Sequence, residues 1–173
     1  MKKLLALFVV VLGFSAVSFA QLTNTASSSA TATIFTALTV EKKADLAFGK
    51  LGAKTSPTLA VMSTTDSRAS STSDVIADVT AKAAEFEVRG DALSNFSVTT
   101  PASSTSLDLS GQPSMTIDAT DWTVKIDAAA DSKSGSIAGT GVTKVKVGAT
   151  LKVGALQPSG NYVGTFNVTV NYN

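Results

Sequence analysis

The sequence contains no cysteine and no histidine, and aromatic residues make up only 6% of its 173 positions. Without these two residue types the chain forms no disulfide, no thiolate nucleophile, no Cys/His zinc site and no Ser-His-Asp triad. Charged residues are also scarce at 16%, and the formal net charge is +1. A nucleic-acid-binding protein is therefore not expected, because such proteins carry a basic surface patch.

The start of the chain has the features of an export signal. A basic start (Met1–Lys3) precedes an apolar run (Leu4–Phe14). Small residues, Ser18 and Ala20, then occupy the two positions that a signal peptidase reads, with cleavage after Ala20. The apolar run is short for a membrane span and has no basic flank behind it. The sequence therefore predicts a signal peptide over residues 1–20, a mature chain that begins at Gln21, and an exported protein.

Apolar and polar residues alternate along most of the remaining chain, which is the pattern of half-buried β-strands. The two clearest segments carry apolar residues at every second position, from Val145 to Val153 and from Tyr162 to Tyr172. Leu59 and Val61 alternate in the same way after Pro57. Period two with turns at short intervals predicts an all-β protein built as an antiparallel β-sandwich.

The apolar faces of these strands predict one shared core. We expect four of their side chains to point into it: Phe86, Leu151, Phe166 and Val168. The lone Trp122 follows another alternating run, so we expect it to pack in the core rather than to form a carbohydrate platform.

The acidic and glycine-rich segments give no catalytic pattern. Glu85 and Glu87 share one strand face opposite Phe86, so we expect them to be solvated rather than to act as a glycosidase pair. Four aspartates lack the spacing of an EF-hand calcium loop: Asp118, Asp121, Asp127 and Asp131. Gly139–Lys144 lacks the spacing of a phosphate-binding loop and predicts a hairpin turn. No enzyme activity, cofactor or metal site is therefore predicted.

The C-terminal segment resembles the signature of chaperone–usher pilins, which has a glycine fourteen residues from the end, alternating apolar residues and a penultimate aromatic. Gly160 and Tyr172 occupy those two positions. Leu38–Val40 followed by Leu46–Gly49 resembles the first strand of spore-coat-U-type, or archaic, pilins, although the cysteine pair of those pilins is absent. Taken whole, the chain resembles the secreted bacterial family called domain of unknown function 4402, which is similar to these pilin-like adhesin domains.

The resemblance implies an immunoglobulin-like, pilin-like sandwich over residues 36–173 that lacks one strand. A neighbouring subunit would fill the gap by donating its N-terminal extension, here residues 21–35. The resemblance thus implies a homo-polymer, a periplasmic chaperone and an outer-membrane usher as partners, and a location outside a Gram-negative bacterium. The residues implicated in assembly are Ala30, Ala32 and Ile34 in the donor and Gly160, Tyr162, Gly164, Phe166, Val168, Val170 and Tyr172 in the C-terminal strand.

Two functions remain open at this point. The first is a non-catalytic structural subunit of an extracellular fimbria or matrix fibre, with a role in adhesion or biofilm. The alternative is a self-complete, monomeric secreted module that binds a glycan or surface partner through loops such as Ser63–Ser73 or Thr99–Ser106. The difference lies in whether the extension leaves the domain or folds back on it.

Overall fold

A computed structural model describes residues 24–70 and 79–173, and among these residues there are strands but no helix. Residues 24–38 are not part of any strand. Ile34–Asn173 belongs to one compact unit. Its strands, in chain order, are β1 (Thr39–Ala44), β2 (Thr58–Met62), β3 (Arg68–Ser70), β4 (Ala84–Arg89), β5 (Asn95–Thr99), β6 (Thr105–Leu107), β7 (Met115–Ile117), β8 (Trp122–Ile126), β9 (Ser134–Ser136), β10 (Val142–Val153) and β11 (Thr169–Tyr172).

All strand pairs are antiparallel, and they form two sheets. The larger sheet has the order β1-β4-β10-β2-β3, with β6, β7 and β8 attached around β10. The smaller sheet has the order β11-β5-β9. The predicted all-β, antiparallel sandwich of immunoglobulin-like class is therefore confirmed.

The long strand β10 organises the larger sheet. Residues 142–147 pair with β4, and residues 149–153 pair with β2. Gly148 lies between the two registers, and a Cβ atom there would be 2.3 Å from the carbonyl oxygen of Met62. A glycine is required at this position because any side chain would push the β2 backbone away from β10.

The core lies between the inward faces of the sheets. Trp122 is 4% exposed and Leu151 is 1% exposed, so both predictions of core packing are confirmed. Phe86, Phe166 and Val168 pack against the same core but are only partly buried. Other large apolar side chains of the core that are fully buried are Met62, Val88, Phe96, Ile117, Val124, Ile137, Val145 and Val147.

Two local predictions are wrong. On β2 the buried residues are Ala60 and Met62, whereas Leu59 and Val61 face outward, because both faces of this strand carry apolar residues and alternation alone does not choose between them. The turn at Gly139–Lys144 is also not a hairpin, since it connects β9 of the smaller sheet to β10 of the larger one.

Other expectations fall partly or wholly outside the described residues. The signal peptide, the cleavage site at Gln21, and residues 71–73 of the proposed binding loop Ser63–Ser73 are among them. The remainder of that loop is a turn closed by the Ser63 amide, which donates to the Ser67 carbonyl at 2.9 Å, followed by β3. Within residues 24–70 and 79–173, no helix is long and apolar enough to cross a membrane.

Candidate functional site

An apolar cavity of about 490 Å³ lies between the region of β1 and residues 162–166. One wall is β1, the edge strand of the larger sheet, together with the chain that follows it to Phe48. The opposite wall is residues 162–166, which lead into β11, an edge strand of the smaller sheet. The floor between them is formed by Ala84, Phe86, Thr105, Leu107 and Ile117.

A second cavity of about 780 Å³ extends the first toward the loop 157–161. The two cavities adjoin at four shared lining residues and are described together as one groove: Leu46, Phe48, Leu107 and Tyr162. We call it the edge groove, and it is lined on its two sides by residues 42–53 and 157–166. Its length along two extended segments suits a peptide in β-conformation better than a compact ligand.

The C-terminal wall is extended but only partly paired. Val163 forms an isolated bridge with Asp108, and β11 begins at Thr169. Residues 164–168 belong to no ladder of the described chain. The predicted strand Gly160–Tyr172 therefore has regular pairing only at its end. Within residues 24–70 and 79–173 nothing pairs with residues 164–168, and an unpaired backbone edge can pair with an added strand.

The glycine and the phenylalanine in this wall have separate structural roles. At Gly164 a Cβ atom would be 2.2 Å from the Ser106 carbonyl oxygen, so only glycine lets the segment cross β6 this closely. Phe166 then turns inward, with its ring centroid 4.6 Å from that of Trp122 and 6.3 Å from that of Phe86. The half-buried Phe166 ring thus separates the core from the edge groove.

A hydrogen-bonded network closes one end of the edge groove. The buried Gln157 amide donates to the Tyr162 hydroxyl at 2.9 Å, and that hydroxyl donates to the Pro158 carbonyl at 2.9 Å. The Gln157 amide oxygen accepts from the Gly154 amide at 3.2 Å. These bonds fix the orientation of Tyr162, whose ring lines both cavities.

The penultimate residue of the chain makes contacts away from the edge groove. Tyr172 accepts a hydrogen bond from the Asp91 amide at 2.7 Å and donates one to the Thr36 carbonyl at 2.6 Å. Its ring lies 5.4 Å from that of Phe35. The Tyr172 hydroxyl packs closely against Gly90. A Cβ atom at Gly90 would be only 2.5 Å from this hydroxyl. Tyr172 therefore holds residues 35–36 against the β4–β5 turn.

The edge groove carries little charge. Its charged lining residues among the described chain are Lys42, Asp45 and Lys50, and the first two form an ion pair at 2.6 Å. On β1, Glu41 accepts a hydrogen bond from the Lys43 ammonium group, which lowers the pKa of the carboxyl group. The resulting surface is apolar and close to neutral.

A family model described as Domain of unknown function (DUF4402) matches residues 38–172. The chain belongs to this family. No curated protein and no solved structure matches the sequence. The matched residues of this DUF4402 domain include all eleven strands and every residue that lines the edge groove.

The predicted donor residues of the DUF4402 protein lie before the first strand. Ala30 and Ala32 are exposed, and Ile34 is 92% exposed. All three precede the residues that the family model matches. No described residue forms a ladder with this part of the chain.

The two glutamates of β4 in the DUF4402 domain each lie beside a basic side chain. Glu85 lies 3.6 Å from the Lys144 ammonium group, and Glu87 lies beside the Arg89 guanidinium group. The Glu87 side chain is only 17% exposed, so the expectation that both glutamates are solvated is wrong. Of the two cations, Lys144 lies on the adjacent strand β10 and Arg89 lies on β4 itself.

Three of the four aspartates have separate protein partners. Asp118 pairs with Lys152, Asp127 accepts from the Lys144 amide at 2.8 Å, and Asp131 accepts from the Thr64 hydroxyl at 2.7 Å. Among the described residues no group of three or more acidic, histidine or cysteine side chains is placed to hold a metal ion.

Several residues of the edge groove were not predicted from the sequence. Leu107 and Ile117 form its floor, and Lys42 and Asp45 form the ion pair at its rim. Alternation identifies the first two only as inward-facing strand residues. Alternation does not show that the strands beside them leave a gap, which only the family resemblance implied.

Proposed function

We propose that this protein is a non-catalytic structural subunit of an extracellular fimbria or matrix fibre, with a role in adhesion or biofilm. The observation that supports the proposal is the edge groove, an apolar channel with an open strand edge at residues 164–168. A donated strand would pair with this edge and cover the half-buried Phe166 and Tyr162. The same proposal includes export through the cleaved signal peptide. It also includes a periplasmic chaperone and an outer-membrane usher as assembly partners.

The proposed occupant is the N-terminal extension of a second copy of this chain. Residues 21–40 contain no charged side chain, which suits the nearly neutral edge groove. At roughly 3.3 Å per residue, residues 21–35 reach about 50 Å, enough to span a neighbouring domain. Apolar residues at alternate positions place Ala30, Ala32 and Ile34 on one face of an extended strand.

The small side chains of the donor determine which forces hold it. Burial contributes about 25 cal/mol per Å² of apolar surface, so alanine and threonine side chains add little. Main-chain hydrogen bonds to the open edge would therefore supply most of the specificity, and Ile34 would make the largest apolar contact. Because no ion pair is involved, assembly should depend weakly on salt concentration.

The test compares two charge substitutions of the donor. Ile34→Asp places a carboxylate on the face that enters the apolar groove, whereas Thr33→Asp places the same charge on the opposite face. We expect Ile34→Asp to abolish or strongly shorten fibres seen by electron microscopy, and Thr33→Asp to form fibres like the wild type. Equal fibre formation by the two variants would contradict the proposed donor register.

Deletion of Gln21–Ala30 separates the proposal from the self-complete alternative. If the extension is donated, the deletion shortens fibres and leaves a folded monomer with an unchanged melting temperature. If the extension belongs to its own domain, the wild type stays monomeric at high concentration and the deletion lowers the melting temperature. The second result would favour a monomeric secreted binding module.

A further inference from the structure

The orders of the two sheets end in four strands, and these edges differ in length. β3 and β9 have only three residues each, and such short edges give an added strand little to pair with. The two long edges are β1, with six residues, and the C-terminal segment 164–172, which ends in β11. Both long edges border the edge groove, so an added strand has two walls with which to pair.

The C-terminal edge is open and uncharged. Residues 164–172 contain no aspartate, glutamate, lysine or arginine. Within the described chain, residues 164–168 belong to no ladder and β11 pairs with β5 alone. A flat edge of this kind is a template for another strand.

The β1 edge has two features by which proteins keep an edge strand from pairing. Its register against β4 shifts between Lys42 and Ala44, so Lys43 is an extra residue that interrupts the regular ladder. Glu41, Lys42 and Lys43 are charged, which is half of the strand. Among residues 24–70 and 79–173, the ladders of β1 are with β4 alone, so these features lie on an edge that is otherwise free.

Lys42 is the charged residue of β1 that faces the edge groove. It lies opposite Phe86 in the register of β1 and β4, and both side chains line the first cavity. The Lys43 ammonium group lies instead 2.7 Å from the Glu41 carboxylate and 3.8 Å from that of Glu87, on the outer face of the sheet. Lys42 therefore places a positive charge at the rim of an apolar groove.

This charge is tolerated in the domain because water reaches it. The Lys42 side chain is 59% exposed, and its ammonium group pairs with the exposed Asp45 carboxylate at 2.6 Å. A strand bonded to β1 would lie about 4.8 Å from it and would remove water from the groove side of this ion pair. Burying charges beside an apolar floor costs free energy even when they keep their partners. Lys42 thus opposes pairing at β1.

We propose that Lys42 is a specificity-determining residue that prevents strand addition at β1 by a second copy of this chain. An added strand then hydrogen-bonds to one wall of the edge groove, the C-terminal wall, and meets β1 through side chains alone. This second statement rests on the proposed function, whereas the effect of Lys42 on β1 does not. Specificity of this kind comes from a penalty against the wrong partner surface.

Amide hydrogen exchange in the full mature chain tests the proposal. In an antiparallel pair alternate residues point their amides away from the partner strand, so β1 has amides that only an added strand can bond; we call these the edge amides. Lys42→Thr removes the charge and introduces a residue that favours strands. We expect the edge amides to exchange at least tenfold more slowly in concentrated Lys42→Thr protein than in the wild type, because copies pair through β1.

Two controls separate the position of the charge from its loss. Lys144→Thr removes a lysine of the central strand β10 that is 68% exposed and lies 3.6 Å from Glu85, so it matches Lys42 in exposure and pairing. Lys42→Arg keeps the charge at the groove. Both variants should have edge amides as fast as those of the wild type, and slow edge amides in Lys144→Thr would contradict the proposal.

The remaining outcomes distinguish this proposal from the proposed function. Lys42→Gln replaces Lys42→Thr if the threonine lowers the melting temperature, and fast edge amides in the folded uncharged variant would overturn the role of Lys42. Slow edge amides in wild-type fibres would overturn it as well, since a strand would then be bonded to β1. Fast exchange at residues 164–168 in wild-type fibres would overturn the proposed function and leave the effect of Lys42 on β1 standing.

Discussion

Two segments of this protein have the same alternating sequence pattern and different structural surroundings. In β10 the inward side chains Val145, Val147 and Leu151 are 0–1% exposed. In the C-terminal segment the inward side chains Tyr162, Phe166 and Val168 are only half-buried. The difference arises because β10 pairs with β4 and β2, and also with β8 and β7, whereas residues 164–168 form no ladder with any other described residue.

Alternation of apolar and polar residues gives only part of the surroundings of a strand. A period of two identifies which side chains share a face, but it carries no information on how many strands lie beside the segment. In this protein the half-buried segment lines an apolar groove, so its incomplete burial is the structural basis of the proposed strand docking.

The largest effect on monomer stability is expected in β10. Leu151→Ala removes a side chain that is 1% exposed, and leaves a cavity between paired strands. We expect a loss of about 3 kcal/mol in the free energy of unfolding, measured by urea denaturation. A loss near 1 kcal/mol would show that β10 is not the rigid centre of the sheet.

A smaller loss is expected for Phe166→Ala in the C-terminal segment. A fully buried phenylalanine costs about 3–5 kcal/mol when it is truncated, but Phe166 is only partly buried beside Trp122 and Phe86. We expect Phe166→Ala to lower the free energy of unfolding of the monomer by about 2 kcal/mol. In fibres the same substitution should lower the dissociation temperature further, because a docked strand would cover the ring. A monomer loss equal to that of Leu151→Ala would remove the contrast between the two segments.

The end of the C-terminal segment allows a finer test. Tyr172→Phe keeps the ring contact with Phe35 but removes the hydroxyl that joins Asp91 and Thr36. We expect a loss of about 1 kcal/mol in the free energy of unfolding. Hydrogen exchange at the Asp91 amide should also become faster, and an unchanged exchange rate would contradict the bond.

The smallest expected effect concerns Asp66 and its pH dependence. A hydrogen bond from the Lys146 ammonium group holds the pKa of the Asp66 carboxyl group below its usual value of 3.8. Folding lowers this pKa, so the stabilisation is present above about pH 4 and is lost as the pH falls through the folded-state value. Asp66→Asn should therefore destabilise the protein at pH 7, and the difference from the wild type should shrink at pH 2. A difference that is independent of pH would contradict this account.

The sequence allowed the fold to be predicted, and the site only in part. Alternation predicted β10, the buried Trp122 and the inward orientation of Phe166, because side chains that share a face reveal the buried side of a strand. It chose the wrong face of β2, where Leu59 and Val61 are apolar yet exposed. The role of Leu107 and Ile117 as floor residues depends on chain segments distant in sequence, so no local pattern could indicate it.

Hydrogen exchange at the amides of residues 164–168 tests the central claim most directly. The deletion of Gln21–Ala30 would supply monomers, wild-type fibres would supply the assembled state, and β10 would serve as an internal reference. We predict fast exchange at residues 164–168 in the monomer and exchange at least 100-fold slower in fibres, with β10 slow in both. Fast exchange at these residues in fibres, or slow exchange already in the monomer, would contradict the proposal that this open edge receives a donated strand.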